Sequence, residues 1–417
     1  MSVMTDLTRM WLTRSTKPFT FLNEYDETLD YGKCENLGLY VHIPFCEKIC
    51  SFCPYCKVLY SKENCDAYID ALLQEIHMVG SQYEGKKQVT SLYFGGGTPA
   101  LAVDRLGEII EAIKEHFIVT EGIGLELHPR NVNEEMLTKL KALGITKISI
   151  GIQSFQEKYQ SILDREVVDR EQMALALSQV KFETVSMDFI FALPNQTYQD
   201  LKTDMELAFS HGANHVAIYP FIDFTFTSSK VKVMEKKEKR KLLDEITKYC
   251  MEQGYHRSSI WTFSSEKEAK YSSMTRDNFL GFGCSATTLL KDQFKINTFS
   301  VEEYCKRIKE EKLPTSLTIR FTERQRMIYY LFWTAYSTRV EAKDFEKFFG
   351  TSLKKMYGFE LWLTKLLGFV TEENGIYEMT LKGAFYYHYY ENFYTLAYID
   401  KMWGIMRKEA FPEKIEL

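Results

Sequence analysis

No uninterrupted apolar run in the 417-residue sequence approaches the ~18 residues that span a bilayer, so no membrane-crossing helix is expected. Positive charge is not in excess: 52 Lys and Arg stand against 57 Asp and Glu, a formal net charge of −5. That balance leaves no basic footprint and argues against nucleic acid as a partner. The first residues carry Asp6 and Arg9 but no apolar h-region, so no signal peptide is expected. The cysteines do not come in the even number that a secreted disulfide framework needs; there are nine, and Cys46, Cys50, Cys53 and Cys56 crowd together. A reducing, cytoplasmic setting follows as the expectation. Internal repeats and low-complexity tracts are missing as well.

What is present is an ordinary globular composition, 45% hydrophobic and 26% charged, in a chain long enough for a large core and a second unit. Short apolar strands are expected at 38–43, 89–94, 123–127, 146–150, 184–191 and 214–219. Helical patterns separate them at 63–83, 106–117, 134–143, 156–163, 171–180 and 199–210. Strands alternating with helices imply a parallel sheet, open or closed into a barrel, with function at the C-terminal ends of the strands. Beyond residue 219 the pattern changes. A charged helix is expected over 230–253, with Lys236 to Lys241 as a solvated basic face, and then a strand over 255–263. From Phe321 onward the chain reads as helical, with a small hairpin at Asn374-Gly375. The aromatic tail from Phe385 to Trp403 reads as core packing at helical spacing. The expected division is an N-terminal extension 1–37, a core 38–225, a barrel extension 226–315 and a helical, winged-helix-like module 316–417.

The chemistry concentrates after the first strand. Cys46, Cys50 and Cys53, spaced C-x3-C-x2-C, can hold three irons of a [4Fe–4S] cluster and leave the fourth open for a reaction. Zinc is the alternative, since Cys56 or His42 would complete four ligands. Structural zinc sites usually join two ligand pairs distant in sequence, and no distant second C-x2-C pair occurs. Cys56 could be a fourth ligand, a pocket thiol or packing. Cys65, Cys250 and Cys305 read as small, buried, inert side chains. The turn Gly95-Gly96-Gly97-Thr98-Pro99 closes the second strand; glycines there serve either a close approach to a ligand or a tight turn.

The series Tyr40-x-His42-Ile43-Pro44-Phe45-Cys46-x3-Cys50-x-Phe52-Cys53 and Gly95-Gly96-Gly97-Thr98-Pro99 resembles radical S-adenosylmethionine (SAM) enzymes. Glu126-Leu127-His128-Pro129-Arg130, Gly151-Ile152-Gln153-Ser154-Phe155, Leu163-Asp164-Arg165, Met187-Asp188-Phe189 and Gly281-Phe282-Gly283-Cys284-Ser285-Ala286 narrow the resemblance. They resemble the branch of oxygen-independent coproporphyrinogen III oxidase and its haem-chaperone relatives, over roughly residues 38 to 290.

The resemblance implies a (β/α) barrel, partial or full, of radical SAM type. It implies Cys46, Cys50 and Cys53 as cluster ligands and Tyr40, Phe52, Gly96, Gly97, Thr98, Glu126, Gln153, Arg165 and Asp188 as SAM contacts. Tyr40, Glu126 and Cys56 are the residues expected to take part in catalysis. One or two SAM molecules would bind. The cluster would cleave SAM reductively, and the resulting radical would act on a carbon centre of a tetrapyrrole or similar aromatic substrate. An electron donor such as flavodoxin or ferredoxin is implied, and porphyrinogen or haem as the ligand. Two alternatives stay open: a methyltransferase of the same branch, and a haem-binding chaperone that keeps the cluster fold. The family's further cysteine stands in C-x-C spacing, whereas here Pro54 and Tyr55 separate Cys53 from Cys56. Plain structural roles also remain for Glu126, Asp188, Arg165 and Gln153, as helix caps or ion-pair partners.

Overall fold

In a computed structural model the structure describes residues 3–25, 28–167, 169–229, 231–266 and 277–417. Fourteen strands form one mixed, open sheet. Seven of them run parallel, in the spatial order His215–Pro220, Thr184–Phe191, Lys147–Gln153, Ile123–Leu127, Leu92–Gly96, Leu37–Ile43, Asn278–Phe282. The α/β architecture with a partial barrel is thus as expected. Both faces of this sheet are covered, and the strands read accordingly: six of the seven residues in Leu37–Ile43 and seven of the eight in Thr184–Phe191 are buried.

The crossover helices begin where side chains satisfy free backbone N–H groups. Ser61 accepts from Asn64, Asn133 from Met136 and Asp169 from Gln172, while Thr197 and Asp200 cap each other reciprocally. Each helix turns its apolar stripe to the sheet, as Leu106, Ile109, Ile110 and Ile113 do on Val103–His116.

Two expected strands are broken. Over 89–94, Thr90 folds back so that its N–H and hydroxyl both donate to the Leu37 carbonyl. Lys87–Val89 therefore pairs with Phe117–Val119 in a separate small sheet, and only Leu92–Gly96 joins the main one. Over 255–263, a turn whose Ser258 N–H donates to the Thr262 carbonyl splits the segment into antiparallel strands His256–Arg257 and Thr262–Ser264. The charged helix starts late, at Lys236, and is not simply solvated. Lys239 is buried, Lys236 lies 3.3 Å from the Tyr389 ring centre and Arg240 lies 4.4 Å from that of Phe385. The expected helix start at residue 230 lies outside the described residues.

The C-terminal region contains a unit in winged-helix order: helix Glu323–Tyr336, strand Arg339–Glu341, helices Ala342–Phe349 and Leu353–Leu366, and hairpin Val370–Glu373/Ile376–Met379. It has its own small core of Met327, Tyr330, Phe345, Leu353, Tyr357 and Tyr377. Asn374 and Gly375 both take positive φ, 52° and 81°, as a two-residue hairpin turn requires. The boundary expected at 316 falls inside a main-sheet strand, Thr315–Arg320. The N-terminal extension likewise contributes a strand: Thr20–Leu22 sits between Thr315–Arg320 and the C-terminal strand Lys414–Glu416. Among the described residues no helix is long and apolar enough to cross a membrane.

Candidate active site

One cavity of about 1590 Å³ lies over the C-terminal ends of the parallel strands. That exceeds the ~300–1,000 Å³ usual for a single small ligand, so it has room for two. Cys46, Cys50 and Cys53 line it from the loop after Leu37–Ile43, each partly exposed. Phe52, Gly96, Gly97, Thr98, Glu126, Gln153, Arg165 and Asp188 line it too.

The glycine turn is zipped onto the cysteine strand: Gly97 N–H donates to the Ile43 carbonyl at 2.8 Å and Thr98 N–H to that of Phe45 at 2.7 Å. A Cβ on Gly97 would lie 2.5 Å from the Phe45 oxygen, and one on Gly95 would meet the Tyr40 hydroxyl at 2.9 Å. These glycines serve close backbone packing within the chain, and Gly96 and Gly97 still line the cavity. Thr98 Oγ1 is 4.0 Å from Cys46 Sγ, and Arg165 Nη1 is 3.7 Å from Cys50 Sγ. Burial, helped by the nearby Cys53, pushes the Cys46 thiol up to about 11 in the metal-free chain.

Two carboxyls face the cavity from strands that flank Lys147–Gln153 on either side. Glu126 Oε2 accepts the Gly96 N–H at 3.1 Å, and burial pushes its carboxyl up to about 7. Asp188 stands where the register shifts between Met187 and Phe189; a bulge of this kind re-aims a side chain. It accepts from Ser149 at 2.7 Å and Ser186 at 3.2 Å, and burial raises it to about 6. Opposite the bulge, Gln153 ends its strand with φ 69°.

Tyr40 and Cys56 do not line the cavity. The Tyr40 hydroxyl turns behind the glycine turn to His42 Nδ1, 3.1 Å away. The buried Cys56 thiol donates to the Phe299 carbonyl at 3.1 Å and faces Cys284 Sγ at 4.0 Å. Among the described residues two groups bring three metal-ligating atoms within 4.8 Å of one another: the buried His42, Cys56 and Cys284, and the exposed His77, Glu115 and His116. With the partly exposed thiols, the Arg165 cation and the glycine cradle, the chain's residues fit a [4Fe–4S] cluster and a ligand beside it.

Sequence reasoning passed over several cavity residues. Tyr55, half-exposed, reaches in from the cysteine loop. His128 is held neutral, down to about 3, by burial and Arg165. The aromatic tail is more than core: Tyr386, Tyr387, Tyr390, Tyr394 and Trp403 form a cavity wall. Between them Glu391 is raised by burial to about 8, and its Oε2 has no hydrogen-bond partner among the described residues. A carboxylate inside an aromatic stripe was the one sequence signal that could have marked this wall.

The model of the radical SAM superfamily matches residues 40–208. The chain is 24% identical over 336 residues to the heme chaperone HemW of Bacillus subtilis, covering 76% of this chain and 88% of that protein. It is 25% identical over 304 residues to the oxygen-independent coproporphyrinogen III oxidase of Escherichia coli, covering 66% of each. The solved structure of coproporphyrinogen III oxidase (HemN) from Escherichia coli superposes with a TM-score of 0.73 at 23% identity, over 85% of this chain and 88% of that one. The superfamily implies a [4Fe–4S] cluster and SAM. Residues 40–208 are a radical SAM domain, and the chain is a homologue of the oxygen-independent coproporphyrinogen III oxidases and heme chaperones that share its fold.

Proposed function

We propose that this protein is a radical SAM enzyme acting on a carbon centre of a tetrapyrrole or comparable flat aromatic substrate. The observation that carries this is one cavity lined both by the three cysteines and by an aromatic wall. In this reading Cys46, Cys50 and Cys53 hold a cluster, and Gly96, Gly97, Thr98, Glu126, Gln153, Arg165 and Asp188 hold SAM. When bound, these cofactors supply one-electron reduction and a carbon-centred radical. The chain's own residues orient and shield. Phe52 packs against the apolar cluster of Tyr159, Leu163, Ile190, Leu193 and Phe221, which keeps one side of the cavity dry. The aromatic wall presents flat faces of Tyr390, Tyr394 and Trp403 to a conjugated ring. A flavodoxin or ferredoxin would deliver the electron.

Glu126 and Asp188 would meet the cationic end of SAM. A buried carboxyl raised to about 7 is mostly neutral at pH 6 and mostly ionised at pH 8. SAM should therefore bind about tenfold more tightly at pH 8 than at pH 6, one factor of ten per unit below the pKa. Glu126→Gln should weaken binding and flatten the profile in calorimetric titrations of cluster-loaded protein; a flat wild-type profile removes Glu126 from this role.

A heme-handling reading is favoured by the same aromatic wall and by the chaperones among the relatives. The deciding experiment is an anaerobic reaction with dithionite and labelled SAM, offered coproporphyrinogen or haem and read by mass spectrometry. The proposal expects 5′-deoxyadenosine and a changed tetrapyrrole. Loss of carboxyl carbon marks an oxidase, and gain of labelled methyl marks a methyltransferase using a second SAM. Saturable haem binding with no SAM cleavage by cluster-replete protein overturns the enzyme reading.

A further inference from the structure

Behind the cavity, three residues from two segments distant in sequence converge without serving the site just described. His42 sits on the strand Leu37–Ile43, Cys56 at the far end of the cysteine loop, and Cys284 in the loop after Asn278–Phe282. All three are buried: His42 is 4% exposed, Cys56 5% and Cys284 0%. Their ligating atoms lie within 4.8 Å of one another, and the two sulfurs are 4.0 Å apart. A tetrahedral ion with bonds of ~2.3 Å to sulfur and ~2.0–2.1 Å to nitrogen needs ligand atoms only slightly closer than this. A disulfide needs the sulfurs at ~2.05 Å, roughly half the distance found.

The loop that carries Cys284 is held on all sides. Gly283 N–H donates to Glu75 Oε2 at 2.7 Å, Cys284 N–H to the Tyr68 hydroxyl at 2.9 Å, and Ser285 N–H to the Thr298 carbonyl at 2.7 Å. Gly283 has φ 96°, and a Cβ there would lie 2.4 Å from the Tyr68 hydroxyl, so the loop presses directly on the helix beneath. His42 is oriented too. Its Nδ1 meets the Tyr40 hydroxyl, while Nε2 turns to the Cys56 carbonyl at 3.0 Å and Ser285 Oγ at 3.3 Å. A metal-bound histidine is commonly fixed in this way through its other nitrogen.

We propose that His42 Nε2, Cys56 Sγ and Cys284 Sγ form a zinc site, with Ser285 Oγ or water as the fourth ligand. Two thiolates and an imidazole are a soft, nitrogen-and-sulfur set that suits Zn²⁺. Binding makes two zinc–sulfur bonds and one zinc–nitrogen bond and releases the two thiol protons to solvent; the His42 proton leaves Nε2, breaking its hydrogen bond to the Cys56 carbonyl, and moves to Nδ1, which then donates to the Tyr40 hydroxyl. The ion clamps the end of the cysteine loop to the strand before it and to the Gly281–Ala286 loop. The site differs from the zinc alternative for the cysteine motif, because none of Cys46, Cys50 and Cys53 takes part. Ligation by thiols 228 residues apart also explains why no paired C-x2-C pattern announces it.

The test uses the full chain, anaerobically reconstituted with iron and sulfide, loaded with Zn²⁺ and dialysed against a weak chelator. Wild type should retain about one zinc beside its iron. Zinc K-edge absorption should show two sulfur neighbours near ~2.3 Å with nitrogen and oxygen completing the shell. Cys284→Ser should bring zinc to background and leave iron unchanged, whereas Cys46→Ala/Cys50→Ala/Cys53→Ala should lose iron and keep zinc. No retained zinc overturns the site, as does a zinc shell of three or four sulfurs, zinc that persists in Cys284→Ser, or a Cys56–Cys284 disulfide in the peptide map. Should Cys284→Ser fail to fold, the absorption spectrum of the wild type still decides.

Discussion

Cys50→Ala will leave the anaerobically reconstituted protein without a stable [4Fe–4S] cluster, and 5′-deoxyadenosine formation will fall to background. Three thiolates are the fewest that hold such a cluster with one iron open to a ligand, so removing one leaves two irons exposed to solvent. Cys50 is the sharpest of the three to test, because Arg165 Nη1 stands 3.7 Å from its sulfur. Cys56→Ala is the matched control. Its sulfur faces Cys284 and the Phe299 carbonyl, so iron content should stay at about four per chain. Iron and sulfide assays with the visible spectrum read both variants. A cluster retained in Cys50→Ala, or lost in Cys56→Ala, contradicts the ligand assignment.

Glu75→Ala will lower stability by about 3–5 kcal/mol, the upper range for a single substitution. Glu75 is 2% exposed on the helix Lys62–Gly80. Its carboxyl accepts from the Tyr304 hydroxyl at 2.6 Å, Gly283 N–H at 2.7 Å and Asn297 Nδ2 at 3.3 Å. Alanine strands these buried donors, at about 1–3 kcal/mol for each left unpaired. The pH dependence has a definite sign. Burial raises this carboxyl from its ordinary 4.5 to about 7, so between those values the folded chain holds a proton that the unfolded chain has released. Stability therefore falls as pH rises through that window and levels off above it. Glu75→Gln, which cannot ionise, should lose that slope. Urea midpoints from pH 5 to pH 8 measure both effects. An alanine variant within about 0.5 kcal/mol of wild type, the usual range of a surface change, would show that Glu75 does not brace the loop.

The parallel core was legible because its strands are apolar throughout and its helices are amphipathic, two patterns visible residue by residue in Thr184–Phe191 and Val103–His116. The breaks were not. Thr90 turns the chain through hydrogen bonds to Leu37, a partner 53 residues away. Cys46, Cys50, Cys53, Gly96, Gly97, Glu126 and Gln153 were legible because they lie at or just beyond the C-terminal end of a strand, whereas Arg165 follows the helix Glu157–Ile162 and was reached only through its motif. The aromatic wall was hidden because Tyr390 and Tyr394 look alike in sequence whether they face a core or a void. The convergence on Cys56 was hidden for the opposite reason: Cys284 is 228 residues away, and only the pairing of Asn278–Phe282 with Leu37–Ile43 brings it near.

The strand Thr20–Leu22 lies between Thr315–Arg320 and Lys414–Glu416, and Phe19, Phe21 and Leu417 belong to the cavity wall. This seam joins segments nearly 400 residues apart, so it closes against the largest chain entropy in the molecule and belongs to the last steps of folding. It is also an edge of short strands, the kind of element that opens locally at little free-energy cost. Through this seam the two ends of the chain close part of the wall of the same cavity that the parallel strands build from its middle.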